Sequence, residues 1–193
     1  AAGAVQPGDE DDYFQSSLFT IARRRILWLL ILVFANGLTT KVIAMNDQIL
    51  KEIVLLAAFI PLLIGTGGNV GAQSSTVVIR GLSTQKLKSL GAFKAVIKEA
   101  ITGALLGVLM ILVVFPFAWW QGEGPLIASA VGISLISITT LAATAGAILP
   151  LLFDRMGLDP ALMSSPFITT VTDIVGVFIY LTTANWLLNS SIL

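Results

Sequence analysis

Five apolar stretches, each close to the length of a membrane crossing, constrain this chain more than any other feature. A bilayer core requires about 20 mostly apolar residues per helix. The stretches run from about Ile26 to Thr40, Ile53 to Ile79, Ala100 to Trp119, Leu126 to Leu152 and Phe167 to Leu188. The first is short, but the arginines at its start, Arg23, Arg24 and Arg25, can snorkel and extend it. The sequence therefore predicts an all-α polytopic membrane protein with five transmembrane helices per subunit.

The overall composition also points away from a water-soluble domain. Of the 193 residues, 56% are hydrophobic and only 11% are charged, whereas soluble domains are about 45–50% apolar and about 25% charged. Eleven basic residues balance eleven acidic ones, so the chain has no basic excess of the kind that attracts nucleic acid. The composition thus favours a lipid bilayer as a partner and argues against nucleic acid.

Basic residues lie mainly on one side of the predicted membrane. Only Lys41 and Lys51 lie on the other side, against nine residues that flank the first span or connect spans two to three and four to five: Arg23, Arg24, Arg25, Arg80, Lys86, Lys88, Lys94, Lys98 and Arg155. Because cytoplasmic loops carry the excess of Lys and Arg, we expect a multi-pass protein of the cell membrane (plasma or inner membrane). Its N-terminus is predicted to be cytoplasmic and its C-terminus outside.

The first 20 residues differ from the rest of the chain. They are largely polar and contain the acidic run Asp9 to Asp12. This segment is interpreted as a cytoplasmic lead-in or as the remnant of a linker helix from an upstream domain. Residues 21–193 are predicted to form one transmembrane ion-transport domain.

The second apolar stretch contains the most unusual segment of the sequence. Pro61 is followed by four glycines between Gly65 and Gly71, and by Asn69 and Gln73. Proline removes a helical hydrogen-bond donor, and glycine weakens a helix. The sequence therefore predicts that this span is interrupted, with its free backbone groups lining a watery cavity, as at transporter ion sites. The alternative is close helix packing through small residues, and the two roles are compatible.

One acidic residue, Asp173, lies in the middle of an apolar span. An ionised carboxylate at that depth costs at least ~2.5–3.5 kcal/mol, and no Lys or Arg is predicted at its level. A bound cation is the natural partner; Thr169 precedes Asp173 by four positions on one helical face, and Thr172 directly precedes it. A protonated Asp173 that donates a hydrogen bond to a carbonyl is an alternative, and a proton relay is another.

The sequence contains no Cys and no His. Thiolate and imidazole metal sites are therefore excluded, and any bound metal must be held by oxygen, as hard ions such as Mg²⁺ and Ca²⁺ are. The commonest general base is missing as well. A rhomboid-type serine protease would require a His, and an intramembrane aspartyl protease would require a second intramembrane Asp. We therefore expect a protein that is not an enzyme.

Two segments resemble the transmembrane domain of the MgtE family of magnesium transporters. The first is Pro61 to Ser74, with the pattern Gly-Asn-x-Gly-x-Gln. The second runs from Gly157 through Ser165-Pro166 to Asp173. The resemblance extends over about Ile21–Leu193. It implies a homodimer with an ion path along the dimer axis, Mg²⁺ as the transported ion, and cytosolic regulatory domains upstream in the full-length protein.

The resemblance also implies the ion site. Asp173 would be the pore carboxylate, assisted by backbone carbonyls near Thr169 and around Gly65 and Gly68, and Ala72 occupies a position that is often Asn in the family. The predicted metal-site residues are Asp173, Thr169, Gly65, Gly68, Asn69 and Ala72. Independently, Mg²⁺ prefers one or two carboxylates with retained waters, and a two-fold axis would bring two copies of Asp173 together.

Two other functions remain open at this point. One is a proton- or sodium-coupled transporter of a small solute that uses Asp173 as its coupling site. The other is a membrane scaffold that transports nothing. A measurement of Mg²⁺ flux into proteoliposomes would separate the three functions.

Overall fold

The computed structural model describes residues 17–84 and 91–190. These residues form α-helices and no strand, with short turns between helices, which confirms the predicted all-α class. The helices are α1 (Leu18–Met45), α2 (Asp47–Glu52), α3 (Val54–Ser83), α4 (Ala92–Ala118), α5 (Gly124–Arg155) and α6 (Pro160–Ser190). A π-helical turn, Trp119–Glu123, joins α4 to α5.

Four segments of the described chain are long and apolar enough to cross a membrane. They are Val54–Ser83, Ala92–Gln121, Gly124–Arg155 and Pro166–Asn189. A shorter apolar segment, Leu29–Met45, lies in α1. The five predicted spans thus fall on α1, α3, α4, α5 and α6, and the short helix α2 lies between the first two of them.

The first span is longer than its apolar stretch suggests. Helix α1 begins at Leu18, so Arg23, Arg24 and Arg25 lie inside the helix and not at its start. Arginine, leucine and alanine are strong helix formers, and the helix therefore continues beyond the apolar residues. Of the predicted cytoplasmic lead-in, residues 1–16 lie outside the described residues, and its last residues belong to α1.

The predicted interruption of the second span is wrong. Helix α3 is continuous over 30 residues and contains Pro61 and all four glycines of the Gly65–Gly71 segment. Pro61 removes only the one donor that would bond the Ala57 carbonyl. The glycines cost helix propensity, but neighbouring helices pack closely on Gly67 and Gly71. Backbone groups in a membrane span must also be satisfied within the protein, which favours a continuous helix. Tertiary packing therefore outweighs the local preference for a break.

Helix α5 forms the centre of the bundle. It packs against α3, α4 and α6, and its buried side chains include Val131, Leu135 and Ile138. Gly146 of α5 lies so close to α3 that an added Cβ would be 2.3 Å from the Gly71 carbonyl oxygen. The buried Tyr180 hydroxyl donates a 3.1 Å hydrogen bond to the Leu56 carbonyl and links α6 to α3. These contacts fix α3 and α6 side by side.

Candidate metal site

The site is built where the glycine segment of α3 meets the first half of α6. A Cβ added to Gly67 would be 2.5 Å from the Thr172 methyl group, and one added to Gly71 would be 2.4 Å from the Ile168 Cγ2. Only residues without a side chain allow the two helices to approach this closely. The packing alternative considered for these glycines is therefore correct for Gly67 and Gly71, both of which are buried.

The register of these contacts positions Asp173 relative to α3. The helices run in opposite directions, and Gly68 faces Thr169, whose methyl group would be 3.7 Å from an added Cβ. Asp173 lies one helical turn beyond Thr169 on the same face, which brings it to about the level of Gly65. Asp173 is partly buried, Gly65 is exposed, and a Cβ added to Gly65 would meet nothing within 4 Å. Open space therefore adjoins the backbone at the level of the carboxylate.

The Asp173 carboxylate has no ionic partner among the described residues. Among the described residues, the one salt bridge joins Lys51 to Asp47, far from Asp173 in the sequence. Nor does the described part of the chain give this carboxylate a hydrogen bond. The adjacent Thr172 hydroxyl is fully buried and also has no partner among the described residues. A half-buried carboxylate in that position is suited to a cation or to its water shell.

One row of exposed residues on α3 contains polar side chains although the helix is a membrane span. The exposed residues at helical spacing along this row are Pro61, Gly65, Asn69, Gln73 and Thr76, and we call them the α3 stripe. The Asn69 and Gln73 amides make no hydrogen bond within the described residues. By contrast, the exposed face of α4 is aliphatic, with Ile101, Leu105 and Leu112 at least half exposed. The two faces are therefore built for different surroundings.

The predicted metal-site residues fall into two groups. Asp173, Thr169 and Gly68 lie together at the α3–α6 contact, while Gly65 and Asn69 lie on the α3 stripe, with the partly buried Ala72 beside it. The contributions of two residues are restricted by existing bonds. The Thr169 hydroxyl donates to the Pro166 carbonyl at 3.0 Å. The Ala72 carbonyl accepts the Thr76 hydroxyl at 2.8 Å.

Sequence reasoning did not include Thr172 or Gln73 in the site. Thr172 directly precedes Asp173, and adjacent residues do not share a helical face; its hydroxyl next to the carboxylate in the sequence was the available signal. Its burial against Gly67 depends on tertiary packing and had no signal in the sequence. No group of three or more acidic side chains comes together in the described residues. The arrangement therefore offers one carboxylate, amides and backbone oxygens, which suits a cation that keeps its water.

Comparison with known proteins decides the family. The family model "MgtE: Divalent cation transporter" matches residues 60–183, which include the whole glycine segment and Asp173. The chain belongs to the MgtE family. Three relatives named "Magnesium transporter MgtE" align with 85–89% of the chain. They come from Thermus thermophilus (38% identical), Enterococcus faecalis (34%) and Bacillus subtilis (33%).

The match to MgtE relatives is partial in one respect. The aligned region spans 37% of the Thermus thermophilus protein, 36% of the Enterococcus faecalis protein and 38% of the Bacillus subtilis protein. The chain thus corresponds to a little more than a third of each relative. The shared region contains both segments on which the sequence resemblance depends.

Proposed function

We propose that this domain transports Mg²⁺ across the membrane through a pore formed between two copies of the chain. The observation that carries the proposal is the α3 stripe, a row of exposed polar and small residues on a membrane span, next to the Asp173 carboxylate, which has no ionic partner among the described residues. Membership of a divalent cation transporter family and the names of the relatives support the choice of ion.

The α3 stripe supports the proposal of a second copy because lipid is an unfavourable environment for its polar side chains. Polar side chains within a membrane are costly and face the interior of a bundle or a watery cavity. In the single chain, Asn69 and Gln73 face outward. Two stripes that face each other across a two-fold axis would turn the outward surface into an inner one. Two-fold symmetry is the commonest symmetry of oligomers.

In this arrangement each residue of the site has a distinct role. Asp173 from each copy supplies a negative charge, so that one ion faces two carboxylates. Gly65, which has open space beside it, leaves its backbone accessible to a hydrated ion. The Asn69 amide can accept hydrogen bonds from the water shell. Mg²⁺ gives up its waters reluctantly and is usually held by one or two carboxylates, so most of these contacts would pass through water.

A flux assay tests the proposal against both alternatives. The purified chain is reconstituted into vesicles that contain a fluorescent Mg²⁺ indicator, and Mg²⁺ is added outside. We expect influx that follows the Mg²⁺ gradient and needs no gradient of H⁺ or Na⁺. Mg²⁺ influx that requires one of these gradients would contradict an uncoupled pore. If no gradient produces Mg²⁺ influx into vesicles that contain folded protein, the coupled small-solute transporter and the scaffold are both favoured over the pore.

A further inference from the structure

A polar cavity lies at the opposite end of the bundle from the basic connections. It has a volume of about 570 Å³ and lies between the α1–α2 junction, the start of α5 and the end of α6. Its polar lining consists of one carboxylate and four amides: Glu52, Asn46, Gln48, Asn185 and Asn189. By the predicted orientation it opens toward the outside. None of these residues belongs to the site around Asp173.

The carboxylate in this cavity carries an uncompensated charge. The other acid of helix α2, Asp47, forms a salt bridge with Lys51, and this partner lowers the pKa of the Asp47 carboxyl. Glu52 accepts a hydrogen bond from the Gln48 amide at 3.4 Å, and no salt bridge of the described chain includes Glu52. Lys51 is thus already occupied by Asp47, and Glu52 gives the cavity its negative charge.

The amide oxygens of Asn46, Gln48 and Asn189 accept no hydrogen bond within the described residues, while each of these amides uses one of its two N–H groups. Three amide groups donate to protein acceptors: Asn46 to a carbonyl of α1 at 2.9 Å, Gln48 to Glu52 at 3.4 Å, and Asn189 to the Asn185 oxygen at 2.8 Å. An amide oxygen has two lone pairs, and a carboxylate only accepts. The lining is therefore rich in free acceptors. Such a lining favours a ligand that is positively charged and covered with O–H donors.

We propose that this outer cavity binds a hydrated divalent cation before the ion enters the membrane. Six waters, at about 30 Å³ each, occupy about 180 Å³, so the cavity has room for an ion with its full shell. A single carboxylate cannot replace that shell, and Mg²⁺ retains its waters readily. Binding is therefore weak and through water, which allows release toward the pore. The inference rests on the proposed function and on the predicted orientation.

The experiment measures binding separately from transport. Mn²⁺ is titrated into Asp173→Asn protein in lipid nanodiscs, and the electron paramagnetic resonance signal of free Mn²⁺ reports the bound fraction. We expect saturable binding that excess Mg²⁺ displaces. Adding Glu52→Gln should weaken it at least fivefold, and Asn185→Ala should weaken it measurably. The matched control is Asp154→Asn, an exposed acid at the other end of the bundle that does not line the cavity, and it should leave binding within twofold.

A flux measurement on otherwise wild-type protein completes the test. Glu52→Gln should raise the half-saturating external Mg²⁺ concentration at least threefold and leave the maximal rate unchanged. Equal binding in Glu52→Gln and its parent, or equal weakening by Asp154→Asn, would overturn the outer site. Absence of flux together with Glu52-dependent Mn²⁺ binding would instead count against the proposed transport and leave the outer site standing.

Discussion

At the scale of single residues, the charge of Asp173 is the feature on which the proposed transport depends most. Asp173→Asn keeps the shape of the side chain and removes the charge. We expect Mg²⁺ influx to fall about tenfold to a hundredfold, because a hydrogen bond to a charged group contributes about 1.5–3 kcal/mol. Influx into vesicles with equal amounts of reconstituted protein measures the effect.

The control for this substitution is Asp154→Asn. Asp154 is an exposed acid near the end of α5, so its loss changes the net charge by the same amount without touching the site. Its influx should match that of the wild type. Wild-type influx in Asp173→Asn, with unchanged thermal unfolding, would remove Asp173 from the ion path.

For single residues, the chemistry of the site was easier to predict from the sequence than the tertiary contacts were. Asp173 stood out because a carboxylate in an apolar span is costly, and its lack of a partner in the described chain agrees with that reasoning. The close packing of Gly67 on Thr172 involves residues more than 100 positions apart, and no local pattern encodes it. The ion contacts of Thr169, Gly65, Gly68, Asn69 and Ala72 remain a prediction.

At the scale of helices, glycines of similar appearance in the sequence have different surroundings. A Cβ on Gly146 would be 2.3 Å from a backbone oxygen of α3, whereas one on Gly65 would meet nothing within 4 Å. We expect Gly146→Ala to lower the free energy of unfolding by about 1–3 kcal/mol, as overpacking does. Gly65→Ala should leave it unchanged or raise it by up to about 1 kcal/mol, through helix propensity.

Thermal unfolding in detergent, followed by the loss of the folded peak in size-exclusion chromatography, measures both variants. The two substitutions add the same methyl group to a membrane helix, so they control for each other. A larger loss of stability in Gly65→Ala than in Gly146→Ala would contradict the helix packing described for α3 and α5. Gly65→Ala also tests the pore hypothesis, because a methyl group in the ion path should reduce Mg²⁺ influx although the variant remains stable.

The helices were predictable from the sequence because lipid imposes a simple length and polarity rule. The rule located four helices that are long and apolar enough to cross a membrane and one shorter apolar helix. It did not locate their ends, since α1 continues through three arginines and a π-helical turn joins α4 to α5. It also did not reveal that α3 is continuous. Proline and glycine indicate only a local preference against helix, whereas the contacts of α5 and α6 with α3 stabilise α3 as a continuous helix.

At the scale of the whole molecule, the upstream domains, the orientation in the membrane and the homodimer are expectations that reach beyond the single chain. The relatives are more than twice as long as the region they share with it, and the prediction of upstream cytosolic regulatory domains concerns those longer proteins. The predicted cytoplasmic N-terminus also stays a prediction. The homodimer is the expectation that the surface of this chain addresses directly, through the α3 stripe.

The dimer is testable by cross-linking because the sequence contains no Cys, so that any introduced thiol is unique. If two α3 stripes face each other, Asn69→Cys places two thiols near the axis, and a short bismaleimide should join them into a covalent dimer in native membranes. Leu112→Cys is the control, since Leu112 is 71% exposed on the aliphatic face of α4 and should face lipid. Cross-linking that is equal at both positions, or stronger at Leu112, would mean that the polar stripe does not lie at a two-fold interface. In that case a single chain would have to shield Asn69 and Gln73 from lipid by a different arrangement of its helices.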